Sequence, residues 1–121
     1  MSIQPVILVN PGGTPQTDAL EKDRDPGTYM FPYSLLFLQN YLQANKIESR
    51  IIDLYWQKPD ELFICTNHAE NPIVGVTAQP HSVLRALDII KQIKEGNKNS
   101  IIVAGGNFFT HTHRDLLTRF I

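Results

Sequence analysis

The chain contains four short apolar runs that read as strands. They cover residues 3–9, 49–54, 73–77 and 100–104, and polar or helix-like stretches separate them. The first and third runs are nearly continuous and do not alternate between apolar and polar positions, which is typical of strands covered on both faces. The pattern therefore predicts four β-strands, most of them buried within a sheet.

In the stretches between these predicted strands, apolar residues recur at helical spacing. Pro32 suits the first position of a helix that should end near Asn45 or Lys46, and Pro59 suits the start of a shorter one. A third helix, the clearest, should run from Pro80 to Gly96, and a short last helix should begin near Thr112. The apolar positions at helical spacing are Leu35, Leu38, Tyr41 and Leu42 in the first helix and Val83, Ala86, Leu87, Ile90 and Ile93 in the third.

Strands that alternate with helices predict a parallel sheet with helices on both faces. We therefore expect one α/β domain over residues 1–121, a doubly wound parallel sheet of the flavodoxin or Rossmann-like type. A five-stranded domain of this type would need one more strand and helix, so the sequence predicts a fold truncated after its fourth strand and the helix that follows.

The composition of the chain argues against several classes of function. The 121 residues are 42% hydrophobic and 19% charged, with a net charge of -1, which gives no electrostatic case for binding nucleic acid or an anionic membrane. No apolar run approaches the roughly 20 residues that cross a bilayer, and no signal peptide is evident. The single cysteine, Cys65, can form neither an internal disulfide nor a thiolate cluster. These features together predict a cytoplasmic location.

The candidate ligand site lies at the carboxyl ends of the predicted strands, where open α/β sheets bind ligands. Small residues there let the backbone approach a bulky group, and polar side chains offer donors and acceptors. The same residues also suit ordinary tight turns. The candidate binding residues are Asn10, Pro11 and Gly12 after the first strand, Thr77, Ala78 and Gln79 after the third, and Gly105, Gly106 and Asn107 after the fourth.

Other sites are less well supported. The chain has no GxGxxG, GxxxxGK[ST] or GxSxG motif, which argues against a dinucleotide site, a P-loop and a hydrolase elbow. His111 and His113 lack an evident third ligand, so we predict no metal site. The apolar context of Cys65 favours a core position over a nucleophile. Tyr55 and Trp56 fit packing better than they fit a ligand cleft.

Five segments together resemble a known family. They are VILVNP at 6–11, FP at 31–32 with LQNYL at 38–42, IIDL at 51–54, IVGVT at 73–77 and IVAGG at 102–106. In order and spacing they resemble the cobalamin-binding domain at the front of many radical S-adenosylmethionine enzymes. The last two segments are also similar to the cobalamin domains of methionine synthase and methylmalonyl-CoA mutase.

The resemblance implies a cobalamin whose nucleotide tail lies near residues 77–79 and 105–107, with residues 10–12 near the corrin face. Methionine synthase and the mutase ligate cobalt through an Asp-x-His-x-x-Gly motif, which residues 10–13 lack. This departure favours the radical-enzyme branch and leaves the lower face of cobalt unassigned. One cysteine cannot supply a Cys-x3-Cys-x2-Cys motif, so the iron–sulfur cluster and S-adenosylmethionine would belong to a downstream radical domain of a parent methyltransferase-type enzyme. The chain alone would bind and not catalyse.

Two alternatives remain open from the sequence. The first is a docking domain of the same fold that binds no cofactor, its cleft blocked by a side chain such as Phe108 or Phe109. The second is a flavodoxin-like protein that binds a flavin at Gly12-Gly13-Thr14. The long charged stretch over residues 12–31 argues against a compact phosphate cradle at that place.

Overall fold

The protein folds around a four-stranded, all-parallel sheet. A computed structural model describes residues 5–12, 32–79 and 82–106. The strand order is β2-β1-β3-β4, which is a flavodoxin-like α/β arrangement and confirms the predicted fold class. The elements are β1 (Val6–Asn10), α1 (Tyr33–Ala44), β2 (Ser49–Asp53), α2 (Pro59–Asn67), β3 (Ile73–Thr77), α3 (Val83–Gly96) and β4 (Ile101–Gly105).

The element bounds agree closely with the predicted ones. β3 has the predicted bounds, and α3 ends at Gly96 as expected. The strand β1 ends one residue later than predicted because Asn10 still pairs in register with Asp53 of β2. The strand β4 likewise extends to Gly105, which pairs with Thr77. The start of the first predicted strand, residues 80–81 and the predicted helix from Thr112 lie outside the described residues.

One face of the sheet, here called the closed face, carries α2 and α3. Side chains of β1, β2 and β3 pack there against buried residues of the two helices, since alternate residues of a strand point to the same side. This burial is the main source of stability that the fold offers. Its buried members are Ile7, Val9, Ile52, Leu54, Leu62, Val74, Val76, Ala78, Ala86, Ile89, Ile90 and Ile93.

The opposite face, here called the open face, carries α1. That helix packs on β1 and β2, and Leu8 and Leu35 are buried there. The other half of this face is poorly covered, since Ile73, Ile101 and Val103 are 42%, 51% and 56% exposed. Among the described residues, the sheet is therefore packed on one face and only half covered on the other.

The helices differ in how deeply they are buried. In α3 the predicted positions Ala86, Ile90 and Ile93 are buried. In α1 only Leu35 is buried, whereas Leu38 and Tyr41 are exposed. The spacing of apolar residues predicts both helices, but how deeply those side chains are buried depends on what packs against the helix. Within the described residues no helix has both the length and the apolar character needed to cross a membrane.

Candidate functional site

The turns after β1, β3 and β4 lie along one edge of the sheet, because parallel strands end on the same side. The β1 turn (residues 10–12) packs on the end of β2. Gly12 has φ +84°, and a Cβ at Gly12 would lie 3.1 Å from the amide nitrogen of Tyr55. Pro11 and Gly12 are both buried. Both the positive φ and the close packing therefore favour glycine at this position.

A hydrogen-bonded pair joins the β1 turn to β2. The Nδ2 group of Asn10 donates to Oδ1 of Asp53 at 3.0 Å, and the amide of Tyr55 donates to the same oxygen at 3.1 Å. The amide of Asp53 donates in turn to Oε1 of Gln57 at 2.7 Å. Asp53 lies at the end of the second predicted strand, one of the strand ends where the sequence predicts a ligand, but the predicted binding residues do not include it.

The β3 turn (residues 77–79) leads into α3. Thr77 is half-buried, Ala78 is fully buried and Gln79 is exposed. The amide of Gln79 donates to Oγ of Ser82 at 3.0 Å, and the amide of Ser82 donates to the carbonyl of Gln79 at 2.9 Å. These two bonds fix the turn and leave the Gln79 side chain at the surface.

The β4 turn (residues 105–106) packs against the β3 turn. The amide of Ala78 donates to the carbonyl of Gly105 at 3.2 Å. Gly106 has φ +93°, and a Cβ there would lie 2.6 Å from the Ala78 carbonyl oxygen and 2.9 Å from Oγ1 of Thr77. A Cβ at Gly105 would meet nothing within 4 Å. The two glycines therefore serve different purposes, and Asn107 lies outside the described residues.

The strand registers place the predicted residues in one row. Asn10 pairs with Asp53, Thr77 pairs with Gly105, and Val9 beside Val76 brings Asn10 and Thr77 to neighbouring positions. By alternation this polar row lies on the open face, at its carboxyl edge. Below it lies a surface that we call the trough, made by Ile73, Gly75, Thr77, Val103 and Gly105. The trough carries no charge.

The row divides into two packed units. The β1 turn packs against the end of β2, and the β4 turn packs against the β3 turn. The boundary between the units falls between β1 and β3, where the order β2-β1-β3-β4 reverses direction. Ligands of open α/β folds bind at this switch point. The predicted binding residues that the structure describes therefore lie at the strand ends on either side of this switch point.

Two grooves of the described residues lie at the other end of the sheet. One of about 360 Å³ is lined by residues between α1 and the start of β2, including Gln39 and Ser49. Another, of about 340 Å³, lies beside Arg50, Cys65 and His68. Both are far from the polar row, so the candidate site is an open surface and not one of these grooves.

The other residues that the sequence analysis singled out lie away from the polar row or outside the described residues. Cys65 is partly buried and its Sγ accepts a hydrogen bond from Nη1 of Arg50 at 3.2 Å. Trp56 is 49% exposed, and its ring meets Tyr55 edge-on with centroids 4.8 Å apart. In the part of the chain that the structure describes, no three His, Cys, Asp or Glu side chains are grouped for metal binding. His111 and His113 lie outside that part.

Comparison with protein-family models, with curated proteins and with solved structures returned no match. The chemistry of the site is therefore inferred from its own residues. They combine amide, carboxylate, hydroxyl and backbone groups at an edge with an adjoining uncharged surface. That combination suits a large ligand with a polar periphery and an apolar body.

Proposed function

We propose that this chain is the cobalamin-binding module of a radical S-adenosylmethionine enzyme and is not catalytic alone. The nucleotide tail lies near residues 77–79 and 105–107, and residues 10–12 lie near the corrin ring. Cobalamin supplies methyl-transfer or radical-assisting chemistry. A downstream domain of the same enzyme holds the iron–sulfur cluster and S-adenosylmethionine.

The trough is the observation that carries this proposal. Gly105 has free space where a side chain would begin, and Gly75 and Thr77 of the neighbouring strand are also small. Only the Leu8 side chain approaches Gly75, with its Cδ2 atom 3.1 Å from where a Cβ would be. Leu8 therefore covers Gly75, and the open part of the trough is the space above Gly105, where the proposal places the flat base of the nucleotide tail.

Polar groups border this space on one side. Asn10 is held by Asp53, so its side chain is fixed at the edge of the open face. Thr77 adds a hydroxyl in the same row. Amide and hydroxyl groups match the many amide side chains that surround a corrin ring. Residues 10–12 carry no imidazole, so this turn binds without providing a nitrogen ligand to cobalt.

A spectroscopic retention assay tests the proposal. Hydroxocobalamin is mixed with the full chain, free cofactor is removed on a sizing column, and the visible spectrum of the protein fraction is recorded. We expect stoichiometric retention with a shifted spectrum. A folded chain that retains none of the cofactor would overturn the proposal, and it would favour the docking-domain alternative.

Two variants on one strand locate the binding surface. Gly105→Phe fills the trough, whereas Ala104→Phe places the same ring on the opposite face of β4, where Ala104 is exposed. We expect the first to lose cobalamin and the second to keep it, with both still folded by circular dichroism. Equal retention by both variants would exclude the trough. Uptake of flavin mononucleotide in place of cobalamin would favour the flavodoxin-like alternative.

A further inference from the structure

The Asn10 side chain has its orientation fixed by its neighbour on β2. Its Nδ2 group donates to Oδ1 of Asp53 at 3.0 Å, and its backbone carbonyl accepts from the amide of Leu54 at 2.9 Å. A carboxylate accepts hydrogen bonds and has none to donate, so only the NH2 group of Asn10 can face Asp53. Turning the Asn10 amide over would bring two acceptor oxygens together.

The other half of the same amide, the carbonyl oxygen Oδ1, is turned away from Asp53. β3 flanks β1 on the side opposite to β2, and the pairing of Val9 with Val76 makes Thr77 the neighbour of Asn10 there. The polar row therefore presents a fixed hydrogen-bond acceptor at Asn10. A ligand group that meets this acceptor must donate a hydrogen bond to it.

The charge beside Asn10 acts in the same direction. Asp53 is the one charged residue among those of the polar row and the trough, and its charge is negative. An anionic ligand group at Asn10 would have no hydrogen to offer the Oδ1 atom and would lie near the Asp53 carboxylate. Polar groups that are desolvated and left unpaired weaken binding. A neutral group with an N–H avoids both penalties.

We infer that Asn10, positioned by Asp53, selects a neutral carboxamide of the ligand over a carboxylate. This inference rests on the proposed function, in which residues 10–12 lie near the corrin ring. The amide side chains around a corrin ring have NH2 groups that can donate to Oδ1 of Asn10. Hydrolysis of such an amide to a carboxylic acid removes the donor and, near neutral pH, adds a negative charge. Asn10 is the binding residue, and Asp53 is the positioning residue.

Calorimetric titration of the full chain tests the selection. The ligands are cobalamin and its separated monoacids, the derivatives in which one peripheral amide has been hydrolysed to a carboxylic acid. We expect at least one monoacid to bind about tenfold or more weakly than cobalamin. Equal affinity for cobalamin and for every monoacid overturns this inference and leaves the proposed function standing. Binding of neither cobalamin nor the monoacids overturns both.

Variants of Asp53 separate its positioning role from its charge. Asp53→Ala frees the Asn10 amide to turn over and should abolish the preference for the amide ligand. Asp53→Asn should retain the preference, because Asn10 and the amide of Tyr55 both donate to the one oxygen that it keeps. Asp60→Ala removes an exposed carboxylate from α2 and is the matched control.

Two results would remove Asp53 from this role. If Asp53→Asn loses the preference as fully as Asp53→Ala, the charge selects the ligand and the orientation of Asn10 does not. If Asp53→Ala lowers the affinity for cobalamin and for the monoacids by the same factor, Asp53 only stabilises the fold.

Nuclear magnetic resonance tests the orientation without a ligand. The side-chain NH2 signals of Asn10 are assigned by their loss in Asn10→Ala. Because hydrogen-bonded protons shift downfield, we expect one Asn10 NH2 proton downfield of those of exposed Asn40, and we expect Asp53→Ala to remove that shift. Asn10 signals that match those of Asn40 in the folded chain overturn the inference, whether or not cobalamin binds.

Discussion

The closed and open faces of the sheet are built from similar strands but differ in what covers them. On the closed face, α2 and α3 bury a continuous set of side chains, with Ile89 and Val9 fully excluded from solvent. On the open face, α1 covers β1 and β2, and β3 and β4 keep apolar side chains in water. The comparison teaches that burial, and with it stability, is concentrated on one face, while the other keeps apolar side chains exposed.

The helices explain part of this difference. α3 alternates its buried residues with Lys91, Lys94 and Glu95 on its outer side. α1 instead exposes Tyr33, Phe37 and Tyr41, four residues apart along one side. A helix with one apolar and one charged side seals a face, whereas a helix that is apolar on several sides leaves surface for further contacts.

The largest expected effect is at the centre of the closed face. Ile89→Ala should lower the free energy of unfolding by about 2–5 kcal/mol, because it leaves a cavity that its neighbours cannot fill. Denaturant unfolding measures the loss. Ile89→Val, expected to cost about 1 kcal/mol, serves if the alanine variant does not fold. Ile101→Ala on the open face should cost only about 0.5 kcal/mol, and equal losses would contradict the comparison.

Two neighbouring glycines offer a sharper test at the edge of the sheet. Gly106→Ala should cost about 1–3 kcal/mol, because a side chain at φ +93° would press on the Ala78 carbonyl. Gly105→Ala should change stability by less than about 0.5 kcal/mol, since its Cβ enters free space. Thermal unfolding of the two variants checks this. A cost at Gly105 as large as that at Gly106 would mean that the trough is not open.

The hydrogen bonds of the polar row should contribute a smaller amount to the free energy of unfolding. Asp53→Ala removes the acceptor shared by Asn10 and the amide of Tyr55, with an expected loss of about 1 kcal/mol. Asp53→Asn keeps an oxygen in place and should lose less. Denaturant midpoints compare the two variants. If the alanine and asparagine variants are equally stable, these hydrogen bonds do not hold the row.

The smallest effect is expected at the ion pair beside β2. The side chains of Arg50 and Glu61 are 47% and 50% exposed, so solvent screens their attraction. Glu61→Gln should cost less than about 0.5 kcal/mol, and added salt should reduce the difference further. Unfolding at low and high salt measures both. A larger loss would mean that this ion pair stabilises the fold more than its exposure suggests.

The strands and helix ends could be predicted from the sequence because they depend on local features. Continuous apolar runs such as residues 73–77 mark strands that need apolar side chains on both sides, and Gly96 marks a helix end. The fold class followed from their alternation. The predicted edge for ligand binding followed from the same alternation, since parallel strands must end together.

The depth of burial could not be predicted in this way. Val9 and Val103 sit in similar apolar runs, yet one is fully buried and the other 56% exposed. Val9 faces α2 and α3 from a central strand, whereas Val103 faces the open side of an outer strand of the described sheet. Arg85 lies in α3 and is buried, with Nη1 3.5 Å from Oδ2 of Asp88, although charge predicts an exposed side. The different surroundings of Gly105 and Gly106 likewise depend on how the β3 turn approaches them.

The central place of β1 bears on how the polypeptide acquires its shape during synthesis. β1, the first strand of the described sheet, has neighbours on both flanks, and each of them follows it in the chain only after a helix. Such distant pairings slow folding, since a long loop must close before any contact rewards it. A nascent chain halted before Ile73 would therefore present one bare flank of β1, a target for chaperones and for misassembly on the ribosome.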